Sequence, residues 1–363
     1  MYIRNIYVKN VRNLKEKKID LSPNINVFYG KNAQGKTNLL ESIYFLSIAR
    51  SHRTNNYRDM INFDEKEAFI KSDIVGEFIS DSIHVYINNN KKYVTINGLD
   101  IKKTIELFEK IFVVIFSPED LELISSGPSI RRKFIDLNLC QINYGYYNNL
   151  NKYYRILKQR NTLLKSIRKN NTLKDTLDVW DEQLINLGIK IIEHREEYIE
   201  KLSEISNNFH KKITNLSENL EIIYKKNVSI EDYKKKFKDN LDKDIILGNT
   251  NYGIHKDDIS IFINKVDIKK FGSQGQKRTI SLCLKLSKIE YIKQKGITPI
   301  LLLDDVFSEL DETRQTLLLK EIEGLQTILT CTGIEDILKK ILNNINITMY
   351  EVKNGEIERG KNE

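Results

Sequence analysis

The fold is decided by NVFYGKNAQGKTNLLESIYFL, residues 26–46, in which a short apolar run, a polar loop and an apolar stretch at helical spacing follow one another. Residues 27–29 predict a strand, and the apolar residues at 39, 40, 43, 45 and 46 predict a helix. Between them stand Gly30, four further residues and Gly35-Lys36-Thr37, which is the GxxxxGK[ST] pattern in its strand-to-helix context. The sequence therefore predicts a phosphate-binding loop within an α/β fold.

Each residue type in this loop has a chemical reason. Gly30 and Gly35 let successive backbone N–H groups converge on an anion, and the helix that begins near Lys36 points its positive end at the same place. Lys36 is expected to reach the β- and γ-phosphates of a nucleoside triphosphate, and Thr37 to offer its hydroxyl to Mg²⁺. The alternative is a glycine-rich turn with an exposed lysine, which the flanking strand and helix disfavour.

Length and composition indicate a globular protein without membrane segments. The 363 residues are 40% hydrophobic and 30% charged, which allows two or three domains with a sizeable core. The longest apolar run, residues 111–116, is far too short to span a membrane, and the start MYIRNIYVKN has no apolar signal-peptide core. We therefore expect a cytoplasmic protein with no membrane partner.

The chain is basic, with a net charge of +8 and a pI of about 9.0. Such a charge suggests a nucleic-acid or anionic-membrane partner. It is also what a low-GC genome produces, because the chain is rich in Lys, Ile, Asn and Tyr together. Charge alone leaves both explanations open.

The pattern of residues changes twice along the chain. Short strands and turns occupy residues 1–95, long charged helices about 119–245, and strands return up to 354, followed by KNGEIERGKNE, expected to be a frayed tail. We predict a discontinuous ATPase domain, residues 1–118 and 246–363, that carries a helical lobe, residues 119–245. The lobe's helical segments, about 141–170 and 176–225, are too short for a long coiled-coil arm.

One helix of the lobe is strongly basic. Residues 151–170, NKYYRILKQRNTLLKSIRKN, contain seven basic residues and no acid. Arg155, Lys158 and Arg160 are our candidates for DNA contacts on this helix. The alternative is a solvated basic face on a packed helix.

The second half of the nucleotide site is predicted at LLLDDVFSELD, residues 301–311, where an apolar strand ends in two aspartates. A carboxylate at the end of a strand beside a phosphate loop supports Mg²⁺, which gives Asp304 that role. Asp305, one residue on, is expected to orient or deprotonate the attacking water. Without the phosphate loop, both aspartates could equally be helix N-caps.

A second anion-binding helix start is predicted at FGSQGQKR, residues 271–278, where the polar loop from Ser273 to Gln276 precedes an apolar helix. One triphosphate does not need two such cradles from one subunit. The economical solution is a two-fold dimer in which each phosphate loop is covered by the partner's Ser273 loop.

These motifs resemble the ABC-type ATPase superfamily and, within it, the RecF family of bacterial recombination and replication-gap proteins. The similarity includes GKNAQGKTN (30–38), FGSQGQKR and LLLDDVFSELD. It extends through IARSHRT (48–54), IFSPEDLELISSGPSIRRKFID (115–136), YRILKQRNTLLK (154–165) and WDEQLINLG (180–188). It covers nearly the whole chain in the right order.

The resemblance implies a discontinuous ABC-type ATPase head that binds ATP and Mg²⁺ and forms an ATP-dependent homodimer on single-stranded or gapped DNA. It implies slow hydrolysis used as a switch, with roles in gap repair, replication restart and SOS induction. RecO and RecR are the implied partners, and RecA loading the implied outcome.

The residue roles that the resemblance implies follow by position. The phosphate- and Mg²⁺-binding loop is Gly30, Lys31, Asn32, Ala33, Gln34, Gly35, Lys36 and Thr37. Ser273 to Gln276 form the signature that acts on the partner's nucleotide, Asp304 supports Mg²⁺, and Asp305 is the catalytic acid or base. Residues 308–311 resemble a loop at the dimer interface, and Arg12 and Asn13 resemble residues near the base. GIHKDD, residues 253–258, departs from the family's GPHRDD, so no role is assigned to it.

Two other functions fit parts of the pattern. A transporter's ATPase subunit would share the phosphate loop, but SQGQ replaces the transporter-like SGGQ, and the usual histidine after Asp305 is missing, Thr330 and Thr332 being the nearest polar candidates. A short chromosome-organising protein would bridge DNA without using hydrolysis.

Overall fold

The structure, a computed structural model, describes residues 1–76, 79–333 and 347–360. Its contacts divide the chain into two compact units, Met1–Asp120 with Ile292–Glu363, and Leu121–Tyr291. The second unit is larger than the predicted lobe, since residues 246–291 belong to it. The physical reason is strand pairing and helix packing within that unit, described below.

The strands, in chain order, are β1 (Tyr2–Lys9), β2 (Lys17–Asp20), β3 (Ile25–Tyr29), β4 (Glu67–Val75), β5 (Ser80–Asn88), β6 (Lys92–Ile96), β7 (Leu99–Asp100), β8 (Val113–Phe116), β9 (Leu220–Lys225), β10 (Asp258–Ile263), β11 (Val266–Asp267), β12 (Ile300–Asp304), β13 (Thr327–Cys331), β14 (Ile347–Lys353) and β15 (Glu356–Arg359).

The α-helices are α1 (Lys36–Ile48), α2 (Ile105–Phe108), α3 (Glu122–Ser125), α4 (Pro128–Ile142), α5 (Tyr144–Ile167), α6 (Leu177–Ile213), α7 (Tyr233–Asp239), α8 (Leu241–Leu247), α9 (Ile268–Phe271), α10 (Gln274–Gln294) and α11 (Glu312–Ile322). Short 3₁₀ turns span Tyr57–Met60, Pro118–Leu121, Asn171–Thr176, Ile254–Lys256 and Val306–Glu309.

The first unit has two sheets with α1 between them. One is antiparallel, in the order β2-β1-β4-β5-β6-β7, and the other runs β15-β14-β3-β13-β12-β8, with parallel pairing from β14 to β8. Helix α1 contacts β12, β13 and β8 of the second sheet and β4 and β5 of the first. It is therefore buried on nearly all sides, and not only along the predicted stripe.

The second sheet places the functional ends of its strands together. β3, β13 and β12 are neighbours in the sheet and run parallel, so their carboxyl ends, at Tyr29, Cys331 and Asp304, meet at one edge. Their residues are buried almost throughout, as expected for strands covered on both faces. The phosphate loop, which follows β3, and the aspartate pair, at the end of β12, therefore lie at the same edge of the sheet.

The second unit joins a helical layer to a small sheet. The order β11-β10-β9 is antiparallel, with α6 packed against β9 and α4 against β10. Because of this pairing, residues 258–267 belong to the second unit, whereas they were predicted to lie in the ATPase domain. It also shows that the predicted helical segment 176–225 was too long, because α6 ends at Ile213 and β9 follows.

Buried arginines hold the second unit together. Arg195, 1% exposed, binds the carboxylates of Asp136 and Asp257 at 2.8 and 2.9 Å. Arg131 binds Asp258 through two nitrogens, at 2.7 and 2.9 Å. Two acids of the unassigned loop 253–258 are therefore structural partners of α6 and α4.

The predicted frayed tail is wrong for most of its length. Residues 353–359 belong to a hairpin in which β15 pairs antiparallel with β14, around the turn Asn354-Gly355. Both turn residues have positive φ, 51° and 76°, as a two-residue hairpin turn requires. Residues 361–363 lie outside the described part of the chain.

Candidate nucleotide-binding site

The phosphate loop connects β3 to α1 with a backbone that demands glycine. Gly30 and Gly35 have φ of 154° and 114°. A Cβ at Gly30 would lie 2.3 Å from the carbonyl oxygen of Val352, and one at Gly35 would lie 2.9 Å from Asn13 Oδ1. No other residue fits at either position without moving its neighbours, so the loop keeps the tight curvature on which an anion nest depends.

Lys36 is folded into the loop. Its ammonium donates to the carbonyl oxygens of Gly30 and Lys31 at 2.5 and 2.9 Å, and the residue is 7% exposed. Burial lowers the pKa of Lys36, while the nearby carboxylates of Asp305 and Asp304 act in the opposite direction. The alternative of an exposed lysine on a glycine-rich turn is therefore excluded.

Thr37 and Asp304 meet although 267 residues separate them in the chain. Thr37 Oγ1 donates to Asp304 Oδ1 at 2.9 Å, and Asp304 is 5% exposed. Burial raises the pKa of Asp304, and the hydroxyls of Thr330 and Thr37 oppose that rise. A hydroxyl beside a carboxylate, both hard oxygen donors next to a phosphate loop, is a donor set that fits Mg²⁺.

Asp305 directly follows β12 in the left-handed conformation, with φ 53° and ψ 24°. Its N–H donates to Thr330 Oγ1 at 3.0 Å, and its side chain makes no cap to the following turn, Val306–Glu309. Asp304 is likewise engaged by Thr37 and Thr330. The alternative in which both aspartates serve as N-caps does not describe this structure.

Arg12 and Asn13 lie beside the loop in different ways. Asn13 Nδ2 donates to the carbonyl of Ala33 at 3.3 Å, and its Oδ1 accepts from Asn38 at 2.7 Å. Arg12 instead binds Glu41 with two nitrogens, at 2.9 and 3.0 Å. Contact of either residue with a nucleotide base stays a prediction.

Glu41 is a site residue that the sequence did not reveal. Its carboxylate is fully buried on α1 and also accepts from Ser51. Burial alone would raise the pKa of Glu41, but hydrogen bonds from Arg12 and Ser51 and the charges of Arg12 and Arg53 hold it below its ordinary value. An acid on a helix is normally read as solvated, and its partner 29 residues away gave no local signal.

The β14–β15 hairpin is a second missed part of the site. Gly355 N–H donates to the carbonyl of Gln34 at 3.0 Å, and Asn354 N–H donates to Gln34 Oε1 at 2.5 Å. Lys31, Asn32 and Ala33 at the tip of the loop are exposed. The Asn-Gly pair flanked by alternating apolar residues was the available signal for this turn.

Ser273 and Gln276 belong to the second unit, whereas the phosphate loop and the aspartate pair belong to the first. Ser273 Oγ accepts from the N–H of Gln276 and Gln276 Oε1 accepts from the N–H of Ser273, both at 3.1 Å. This is a reciprocal capping box at the start of α10. It fixes the helix start that was predicted as a second anion cradle.

The three candidate DNA contacts on α5 separate into two kinds. Arg155 and Lys158 are exposed. Arg160 is 0% exposed and binds Asp181 at 2.5 Å and Asp244 at 2.7 Å, with Thr250 Oγ1 accepting a further bond at 2.8 Å. The prediction is corrected for Arg160, because its guanidinium is enclosed and fully engaged inside the second unit.

Comparison with protein families and known proteins identifies proteins to which this chain is similar. The family model described as RecF/RecN/SMC N terminal domain matches residues 2–108. The DNA replication and repair protein RecF of Clostridium botulinum (strain 657 / Type Ba4) is 46% identical, with 99% of this chain and 100% of that protein covered. The RecF protein of Lachnoclostridium phytofermentans is 43% identical, with 99% and 100% covered.

Solved structures show the same architecture. The recombination mediator protein RecF, solved as RecF-ATP in the RecFOR pathway, superposes with a TM-score of 0.92 at 36% identity, covering 99% of this chain and 98% of that one. The Smc head domain of Pyrococcus furiosus, at 16% identity and a TM-score of 0.56, covers 99% and 96% and shares the fold alone.

The fold is thus that of an ABC-type ATPase head, and the similar proteins give no support to a transporter subunit. Among the described residues, no helix combines the length and apolarity needed to cross a membrane. Since it is 46% and 43% identical to these two RecF proteins over 99% of its length, the chain belongs to the RecF family of DNA replication and repair proteins.

Proposed function

We propose that the chain binds ATP with Mg²⁺ at the phosphate loop, closes as a homodimer on DNA, and opens again after slow hydrolysis. The observation that carries the proposal is the Thr37–Asp304 contact at 2.9 Å. It brings the end of β12 to the start of α1, the arrangement that a metal-assisted triphosphate site needs. The relative solved as RecF-ATP supports ATP as the nucleotide.

The site's own residues divide the work. Lys36, held by two loop carbonyls, is positioned to turn toward the β- and γ-phosphates. Thr37 and Asp304 would hold Mg²⁺, which neutralises phosphate charge when bound. Asp305 orients the attacking water and accepts its proton.

The Ser273 loop lies in the second unit, at the start of α10. Its capping box fixes the start of α10, a 21-residue helix. The N-terminus of a helix attracts anions. We assign this helix start to the γ-phosphate held by the partner subunit. ATP then acts as the contact between two subunits, and its hydrolysis loosens them.

DNA is the proposed macromolecular ligand, as a single strand or a gapped duplex. The exposed Arg155 and Lys158 on α5 and the net charge of +8 support backbone contacts. The similar structures described as a recombination mediator in the RecFOR pathway support RecO and RecR as partners. We further propose roles in gap repair, replication restart and SOS induction, with RecA loading as the outcome. We place this work in the cytoplasm and regard the ATPase as weak and DNA-regulated.

The direct test is a titration of the full-length chain with ATP and Mg²⁺, followed by binding to gapped, single-stranded and double-stranded DNA across a salt series. We expect Lys36→Ala to weaken ATP binding at least tenfold, because it removes the ammonium group assigned to the β- and γ-phosphates. DNA binding should depend on ATP in the unaltered chain and lose that dependence in Lys36→Ala. An unchanged dissociation constant for ATP would remove the nucleotide assignment.

A further inference from the structure

Thr330 lies between the two aspartates of the site. It stands on β13 directly opposite Asp304 on β12 and is 1% exposed. Its Oγ1 accepts from the N–H of Asp305 at 3.0 Å and lies 2.8 Å from Asp304 Oδ1. One buried hydroxyl is thus bonded to both residues of the pair.

The direction of the hydrogen bonds follows from the proton count. Asp305 N–H can only donate, so the hydroxyl accepts there and has one proton left to give. Two acceptors compete for it, Asp304 Oδ1 at 2.8 Å and the carbonyl of Leu303 at 3.5 Å. The hydroxyl therefore donates to the Asp304 carboxylate, because that bond is shorter and its acceptor is charged. The resulting chain runs from Asp305 N–H through Thr330 to Asp304.

We infer that Thr330 is a positioning residue for ATP hydrolysis, which fixes the Asp304 carboxylate and the backbone turn that aims Asp305. Asp304 Oδ1 accepts from Thr330 and from Thr37, so two hydroxyls define how the carboxylate is rotated. Asp305 has a positive φ, which costs free energy for any residue other than glycine, and its N–H bond to Thr330 offsets that cost.

A buried threonine on a strand also has a purely structural explanation. Threonine is a common strand former, and Thr330 could be read as simple β propensity. A valine, which has the same shape, would then serve equally well. The hydroxyl's two bonds to the aspartate pair argue for the hydroxyl itself.

The experiment compares Thr330→Val and Thr330→Ser in the full-length chain. Thr330→Val keeps the shape and removes the hydroxyl, whereas Thr330→Ser keeps the hydroxyl. Thr327→Val is the matched control, because Thr327 is also fully buried on β13 and its hydroxyl donates to the carbonyl of Leu325 at 3.3 Å, away from the aspartate pair. Turnover is measured at saturating ATP, and ATP affinity with EDTA and with Mg²⁺.

We expect Thr330→Val to slow turnover about tenfold or more, equivalent to about 1.4 kcal/mol in the barrier. Its ATP affinity in EDTA should equal that of the unaltered chain, and the gain in affinity on adding Mg²⁺ should shrink severalfold. Thr330→Ser and Thr327→Val should keep both the turnover and the Mg²⁺ gain within about threefold. Melting temperatures of the nucleotide-free chains separate these effects from a general loss of stability.

Two outcomes overturn the inference. Turnover and Mg²⁺ gain in Thr330→Val equal to those of the unaltered chain would show that the hydroxyl is idle. An equal loss in Thr330→Ser would show that side-chain shape, and not the hydroxyl, matters. The inference rests on the proposed ATPase, and the two fail differently: if the unaltered chain neither binds nor hydrolyses ATP, the proposed function fails before any variant is compared.

Discussion

Arg155 and Arg160 lie five residues apart on α5 and should respond in opposite ways to the same substitution. Arg160→Met removes a guanidinium that holds Asp181 and Asp244 inside the second unit, at 2.5 and 2.7 Å. Arg155→Met removes an exposed charge. The methionine keeps much of the arginine's apolar length, so each change isolates the charged head.

The magnitude follows from what each substitution leaves behind. In Arg160→Met, two carboxylates stay in a buried site without their cation, which costs about 3–5 kcal/mol. A domain is stable by only about 5–15 kcal/mol, so this is a large share. Arg155→Met should change the free energy of unfolding by no more than about 0.5 kcal/mol.

Urea denaturation measures the difference, with the fluorescence of Trp180 as the signal. The chain has one tryptophan, which stands next to Asp181 and so reports on the unit that contains Arg160. With a slope of about 3 kcal/mol per molar urea, the midpoint should fall by about 1–1.7 M in Arg160→Met. Equal urea midpoints for Arg160→Met and Arg155→Met would contradict the buried ion-pair role of Arg160.

Three further predictions test chemistry elsewhere. Asp305→Asn should bind ATP normally but turn it over at least tenfold more slowly, because the amide cannot accept a proton; an unchanged rate of ATP turnover would contradict the assignment. Burial lowers the pKa of His255 to about 4, so an unfolded chain binds more protons below pH 6.5 and stability should fall by about 2 kcal/mol from pH 7.5 to 5. His255→Gln should flatten that dependence in urea titrations, and an unaltered slope would exclude His255 as its source. Arg155→Ala with Lys158→Ala should weaken binding to all DNA sequences alike and reduce the salt slope by up to about two, whereas Lys201→Ala, an exposed change on α6, should not.

The phosphate loop was predictable because its pattern is local. The strand, the two glycines and Lys36-Thr37 lie within residues 25–37, and the loop residues have backbone or phosphate requirements that few other sequences meet. The apolar strand that ends in Asp304 was likewise predicted from its local sequence. The contact between Thr37 and Asp304, across 267 residues, needed the parallel order β3-β13-β12.

Burial on helices was harder to predict. Charge counting made Arg160 equivalent to Arg155, but only one of the two faces the carboxylates on neighbouring helices. Glu41 was missed for the same reason, since the arginine that binds it comes from a turn before β2. Buried ion pairs join distant segments, so a single helix carries no sign of them.

Short strands close to helices in the sequence were also difficult to predict. Residues 220–225, LEIIYK, follow a 37-residue helix and continue its apolar content, so the helical pattern was extended over them. These residues form strand β9 instead, because they pair with β10. The hairpin at Asn354-Gly355 was readable from its turn residues, but its contact with Gln34 was not.

Mixing two inactive chains tests whether each ATP site is completed by the Ser273 loop of a second subunit, as proposed above. Lys36→Ala breaks the phosphate loop, and Ser273→Arg breaks the helix start; each homodimer then has two damaged sites. A mixed dimer unites both damaged halves in one site and two unaltered halves in the other. ATP turnover at equal subunit ratios, with subunit exchange verified separately, should therefore recover part of the unaltered rate. Turnover that stays at the average of the two inactive parents, while nucleotide still binds in the mixture, would contradict the shared site.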